Sequence, residues 1–144
     1  MKILVINGPN LNMLGKREPD IYGHESLTSI ENDLEIRFPD HQFIFFQSNN
    51  EGEIIEKLHE AAEGDFDALL GNFAGFTHTS IAIRDAISLF TGPRVEVHIS
   101  NIYARENFRH HSITGGVCNG VITGFGPFSY VLGVQALENI VTKR

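Results

Sequence analysis

The run Ile3-Leu4-Val5-Ile6 is apolar without interruption, rich in β-branched residues, and breaks at Asn7 into Gly8-Pro9-Asn10. A strand with one face in water alternates apolar and polar side chains. An unbroken apolar run instead implies a strand buried on both faces, as in a parallel sheet covered by helices on each side. The segment that follows carries Lys16, Arg17 and Glu18, then Pro19, and ends in Tyr22-Gly23. In open α/β sheets ligands bind beyond the carboxyl ends of the strands. A first strand that spills into amides, an arginine and a tyrosine therefore reads either as one wall of an active site or as an ordinary βα loop.

The rest of the chain repeats the alternation. Leu27-Thr28-Ser29-Ile30-Glu31 offers a helix start with Thr28 and Glu31 spaced as a capping box, and Leu27, Ile30, Leu34 and Phe38 share a face up to Pro39. Gln42 to Gln47 reads as a second strand, and Glu51 to Gly64 as a helix with Ile54, Ile55, Leu58, Ala61 and Ala62 inward. Ala68-Leu69-Leu70 is a third strand closing at Gly71-Asn72, and Thr79 to Phe90 a helix burying Ala82, Ile83, Ala86, Ile87 and Phe90. Arg94 to Ile99 and Val117 to Thr123 complete the strands, and Phe128 to Val141 is the closing helix. This order predicts one domain over residues 1–144. Its class is α/β, a flavodoxin-like three-layer sandwich around a five-stranded parallel sheet ordered 2-1-3-4-5.

Composition excludes several partners. A formal net charge of −7 argues against nucleic acid and anionic membrane surfaces, so an anionic ligand must meet a local cluster of arginines. Cys118 has no second cysteine to pair with, which suits a reducing compartment. The apolar runs are too short to span a bilayer, and the N-terminal one reads as a strand, not a signal peptide. A cytoplasmic protein is expected.

Polar groups cluster at three strand ends: Asn7 to Asn10, Asn72 to His78, and His98 to Asn101. In the order 2-1-3-4-5 these ends are neighbours, so their loops converge on one cleft. Glu96 and His98 alternate along a strand and share a face. A carboxylate there would orient the imidazole and suit it to general acid work, although a hydrogen-bonded structural histidine would look the same. Thr77-His78-Thr79-Ser80 is a helix cap that can also hold a ligand. Asp85, further along that helix, suits a salt bridge or a subunit boundary. Arg105, Arg109, His110 and His111 form the densest basic patch, and arginine's planar fork suits a carboxylate. His24, His41 and His59 read as surface residues. None of the seven histidines stands in a metal-ligand spacing, so no metal is expected.

Other chemistries fit less well. His78, Ser80 and Asp85 lack the Gly-x-Ser-x-Gly elbow of a hydrolase. A flavin site would follow the first strand with a Ser/Thr/Gly-rich phosphate loop, where this chain has Gly-Pro-Asn-Leu-Asn. A phospho-receiver would carry acids where Asn7 and Asn72 stand. A module binding small anions without catalysis stays open.

Assembled, these residues closely resemble the type II 3-dehydroquinate dehydratases. The resemblance is carried by Asn7-Gly-Pro-Asn-Leu-Asn with Gly15-x-Arg17-Glu-Pro-x-x-Tyr22-Gly, and by Gln47-Ser-Asn-x-Glu51-Gly. Thr77-His-Thr-Ser with Arg84-Asp85, and Glu96-Val-His98-x-Ser-Asn with Arg105-Glu and Arg109, complete it. Two places depart: Phe73-Ala74-Gly75, where the family more often has Pro-Gly-Ala, and Ser129-Tyr130, where Gly-Tyr is usual. The resemblance implies dehydration of 3-dehydroquinate to 3-dehydroshikimate in the shikimate pathway. The reaction would be an anti elimination through an enolate, without metal or cofactor, in a homododecamer of four trimers. It implies Tyr22 as base, His98 as acid, Arg17 supporting the tyrosinate, and Asn10 holding the water that stabilises the enolate. Asn72, His78, Ile99, Ser100 and Arg109 would bind substrate, and Asp85 would reach a neighbouring subunit's site.

A dehydration beside a ketone can instead run through a lysine Schiff base. Lys2 precedes the first strand, at the sheet end away from the expected cleft, and Lys57 falls on the outer face of its helix. Lys143 is one residue from the terminus, and Lys16 lies on an exposed loop with nothing to shield it. Borohydride added with 3-dehydroquinate should therefore leave activity intact and add no mass to any lysine. A substrate-dependent adduct on Lys16 with loss of turnover would overturn the enolate route.

Overall fold

The computed structural model describes residues 1–16, 20 and 25–143. The strands are β1 (Lys2–Asn7), β2 (Gln42–Gln47), β3 (Ala68–Asn72), β4 (Arg94–His98) and β5 (Gly120–Thr123). They form one parallel sheet in the order β2-β1-β3-β4-β5, as the alternating pattern requires. The helices are α1 (Leu27–Arg37), α2 (Glu51–Glu63), α3 (Ile81–Ser88) and α4 (Phe128–Thr142). None of the described helices is long and apolar enough to cross a membrane.

Side chains of β1 alternate between two cores, which is why Ile3 to Ile6 are apolar without a break. Ile3 and Val5 pack with Ile30 and Leu34 of α1 and with Val131, Val134 and Leu137 of α4. Leu4 and Ile6 pack with Ile54 and Leu58 of α2 and with Ile83 and Ile87 of α3. Parallel pairing then brings Gln47, Asn7 and Asn72 into register across the carboxyl ends of β2, β1 and β3.

Several boundaries differ from the sequence reading. The cap of α1 is Ser26, whose Oγ accepts from the Ser29 amide at 3.1 Å, so Thr28 stands inside the first turn and the capping box is not formed. The third helix begins at Ile81 because Ser80 takes its cap, and Ala74–His78 forms a 3-10 turn ahead of it. In this shorter helix Ala82 is exposed, since Ile83, Ala86 and Ile87 already fill the face toward the sheet. The fifth strand starts at Gly120, after a 3-10 turn at Gly115–Val117. His41 is not a surface residue: its ring stacks on Phe38 and its Nε2 lies 3.1 Å from Glu138 Oε2.

Two glycines at the strand ends are required by close approach. A Cβ on Gly8 would stand 2.5 Å from the carbonyl oxygen of Phe73, and one on Gly71 would stand 2.4 Å from that residue's ring. The ring is wholly buried and cannot move aside. Gly71→Ala should therefore cost about 1–3 kcal/mol in urea unfolding. Gly75→Ala, with open space around the added methyl, should stay within about 0.5 kcal/mol. Equal losses in the two variants would contradict this packing.

Candidate active site

A cleft of about 160 Å³ opens over the carboxyl ends of β1, β3 and β4. That is close to the roughly 150 Å³ of an engineered cavity that takes up benzene, so a six-membered ring fits. Asn10, Asn72, His78, His98, Ile99, Ser100 and Arg109, all expected from the sequence, line it. Arg105 lines it too, as do the apolar Leu11, Leu14 and Ile102 that the sequence reading did not assign. Tyr22 and Arg17 lie outside the described residues. Asp85 is exposed on α3 and is not among the lining residues of its own chain's cleft.

At the β4 end, Glu96 has no solvent exposure. His98 Nε2 donates to its Oε2 at 2.8 Å, Ser112 Oγ donates to the same oxygen at 2.6 Å, and Thr114 Oγ1 donates to Oε1. Burial pushes this carboxyl up, and His98, Ser112 and Thr114 together pull it below the ordinary glutamate range. Because an ionised carboxylate only accepts, Nε2 of His98 carries a hydrogen, leaving Nδ1 as the ring nitrogen available to a ligand. Thr114 is itself held, 3.1 Å from Thr77 Oγ1. The Ser112-x-Thr114 spacing was visible in the sequence, yet nothing local tied it to a carboxylate sixteen residues earlier.

His78 stacks on His98 at 6.4 Å between centroids and donates from Nδ1 to the carbonyl of His111 at 2.8 Å. Burial first, then the charges of His98 and Arg109, holds its imidazolium below the ordinary histidine range. A neutral His78 with its hydrogen on Nδ1 keeps Nε2 as an acceptor. His110 Nε2 donates to the Arg105 carbonyl at 2.9 Å, so it supports the loop and does not line the cleft. Arg109 Nε donates to Glu106 at 2.9 Å, and Arg105 Nη1 to Ser100 Oγ at 3.4 Å. Arg105 Nε also lies 3.8 Å from Glu106 Oε1, so Glu106 stands between the two guanidiniums and fixes both at the mouth of the cleft.

At the β1 end Asn10 adopts φ 72°, and its amide donates to Asn49 Oδ1 at 2.8 Å. Gln47 Nε2 bonds both Asn49 Oδ1 and the Gly8 carbonyl, at 3.2 and 3.1 Å. The Gln-Ser-Asn stretch after β2 thus holds the turn that points Asn10 at the cleft. Among the described residues no group of three or more His, Cys, Asp or Glu could hold a metal.

Fold and cleft together define a doubly wound α/β protein whose cleft over the strand ends combines a histidine–glutamate pair with arginines. The family model for dehydroquinase class II matches residues 1–138. A 3-dehydroquinate dehydratase of Exiguobacterium is 56% identical over 95% of this chain and 94% of its own length. One from Pelodictyon phaeoclathratiforme is 54% identical over 95% and 91%. The crystal structure of the type II dehydroquinase of Butyrivibrio crossotus superimposes with a TM-score of 0.93 at 45% identity, covering 96% of this chain and 97% of that one. The chain belongs to the class II dehydroquinases.

The depressed pKa of Glu96 has a consequence for stability. The unfolded chain takes up this proton near the ordinary glutamate value of about 4.3, and the folded chain only at lower pH. The contribution of Glu96 is therefore full above that value and is lost as pH falls toward the folded pKa. Melting temperature should drop more steeply below about pH 4.3 in the wild type than in Glu96→Gln. Parallel curves for the two proteins would mean that Glu96 is not held ionised.

Proposed function

We propose that this chain dehydrates 3-dehydroquinate to 3-dehydroshikimate, a shikimate-pathway step, by anti elimination through an enolate. Residues 1–144 act as one catalytic domain in the cytoplasm, without metal or cofactor. The observation that carries the reading is the His98–Glu96 pair, placed in a cleft lined by the motif residues of the family to which the chain belongs.

In this reading the Tyr22 phenolate takes a proton from the carbon beside the ketone, and the electron pair moves onto the carbonyl oxygen. Asn10 places the water that hydrogen-bonds that enolate oxygen. The pair then returns to form the carbon–carbon double bond as the carbon–oxygen bond of the hydroxyl breaks. His98 donates a proton to the departing oxygen, which leaves as water. The positions of Tyr22 and Arg17 rest on the Gly15-x-Arg17-Glu-Pro-x-x-Tyr22-Gly motif. A free tyrosine, with a pKa of about 10, is ionised to about one part in a thousand at pH 7. Arg17 supplies the cation that raises that fraction. Asn72, His78, Ile99 and Ser100 hold the ring, and Arg109 takes the carboxylate.

The assembly in this reading is a homododecamer of four trimers, with Asp85 crossing to a neighbour's cleft. Its support is the exposed position of Asp85 on α3, flanked by exposed Ile81, Ala82 and Leu89, which a solvated helix face would not favour.

With 3-dehydroquinate and a chelator present, enone absorbance should rise in the ultraviolet. His98→Asn should lower kcat far more than it changes KM. Tyr22→Phe should abolish turnover while substrate affinity stays within about tenfold, because the ring remains and only the proton acceptor is lost. No turnover by the wild type would leave only the anion-binding module, and full activity in either variant would remove that residue from its role.

A further inference from the structure

Behind the cleft lies a second buried network, formed by Asn7, Asn72 and Tyr130. Tyr130, from α4, has no solvent exposure, and its hydroxyl reaches between the paired ends of β1 and β3. The hydroxyl lies 2.5 Å from Asn7 Oδ1 and 2.9 Å from Asn72 Nδ2. The Ala74 amide donates to Asn72 Oδ1 at 3.1 Å.

Hydrogen accounting gives these contacts one direction. A backbone N–H can only donate, so the group of Asn72 facing Ala74 is its carbonyl oxygen. The amide nitrogen of Asn72 then faces Tyr130, and the phenolic oxygen must accept from it. A hydroxyl has one hydrogen, so that of Tyr130 goes to Asn7 Oδ1. Flipping the Asn72 amide would set N–H against N–H at Ala74. It would also set a carbonyl against a hydroxyl whose hydrogen is already used.

Asn72 lines the cleft, and one hydrogen of its amide nitrogen has no partner among the described residues. We infer that Tyr130 is a positioning residue that, with the Ala74 N–H on the other side, locks the Asn72 amide as a hydrogen-bond donor to the ligand, making the site selective for an acceptor oxygen at that point. The inference rests on the proposed reaction, which supplies a substrate rich in such oxygens.

The test compares kcat and KM for 3-dehydroquinate in the wild type, Tyr130→Phe, Asn72→Ala and the double variant. Tyr130→Phe keeps the ring in the core and leaves the amide held only through the Ala74 N–H. It should raise KM about tenfold, the equivalent of one hydrogen bond, with kcat within about threefold. Partial unfolding alone would lower kcat through the active fraction and leave KM unchanged. Added to Asn72→Ala, the tyrosine substitution should change KM no further, because it acts only through that amide. Should Tyr130→Phe not fold, Asn7→Ala frees the hydroxyl hydrogen and should show the same rise in KM and the same dependence on Asn72. A wild-type KM in these variants, or effects that simply add to those of Asn72→Ala, would overturn the inference alone. Absence of turnover in the wild type would overturn the reaction and the inference with it.

Discussion

An ionised carboxylate sealed from water is the interaction on which this structure turns. Glu96 sits at the third position of β4, at a depth where an unpaired charge would cost far more than a fold of this size has to spare. Three donors meet it: His98 from its own strand, and Ser112 and Thr114 from the segment before β5. Removing one partner of such a buried set typically costs about 3–5 kcal/mol, because the charge that remains has no compensation. The path of residues 112–114 is constrained by this need. Thr77 on the β3 side and Arg84, which donates to the Ile113 carbonyl at 2.6 Å, fasten the same segment from α3. A histidine held by that carboxylate keeps one ring orientation at the edge of the cleft.

The other half of the cleft is organised without charge. Asn7, Asn72 and Tyr130 form a neutral chain in which the Ala74 N–H orients the Asn72 amide from one side and the Tyr130 hydroxyl holds it from the other. Burial drives the Tyr130 hydroxyl's pKa upward, so it stays a phenol and keeps the hydrogen that the chain requires. One side of the site is thus built on an ionised carboxylate and the other on neutral amides and a phenol. Glu96, His98, Asn7 and Asn72 all stand on strands whose ends are aligned by parallel pairing.

Much of this was legible in the sequence where the signal was local. Unbroken apolar runs gave the buried strands, and their polar endings gave the cleft, because in a parallel sheet every strand delivers its last residue to the same edge. The period of two linked Glu96 to His98. What escaped were contacts between residues distant in the chain. Tyr130 lies 123 residues from Asn7, and its helix shows only an apolar stripe in which a tyrosine looks like any core aromatic. Helix starts slipped for a related reason. Ser26, Thr28, Thr79 and Ser80 are all competent caps, and the tertiary position of the helix decides which one is used.

The departure at Phe73-Ala74-Gly75 shows how such a site tolerates change. Ala74 adopts φ 52°, a conformation that costs a residue with a Cβ roughly 1–2 kcal/mol and glycine very little. Gly75, one position on, has no positive φ and sits in open space, so it does not relieve the turn. The offset comes from Phe73, whose ring fills the core beneath Gly71 with no exposure, where a proline would bury less apolar surface. Burying a phenylalanine contributes about 1.5–3 kcal/mol relative to leaving it exposed, enough to hold the strained residue in place. The Ala74 N–H therefore meets Asn72 Oδ1, as the direction of the neutral network requires.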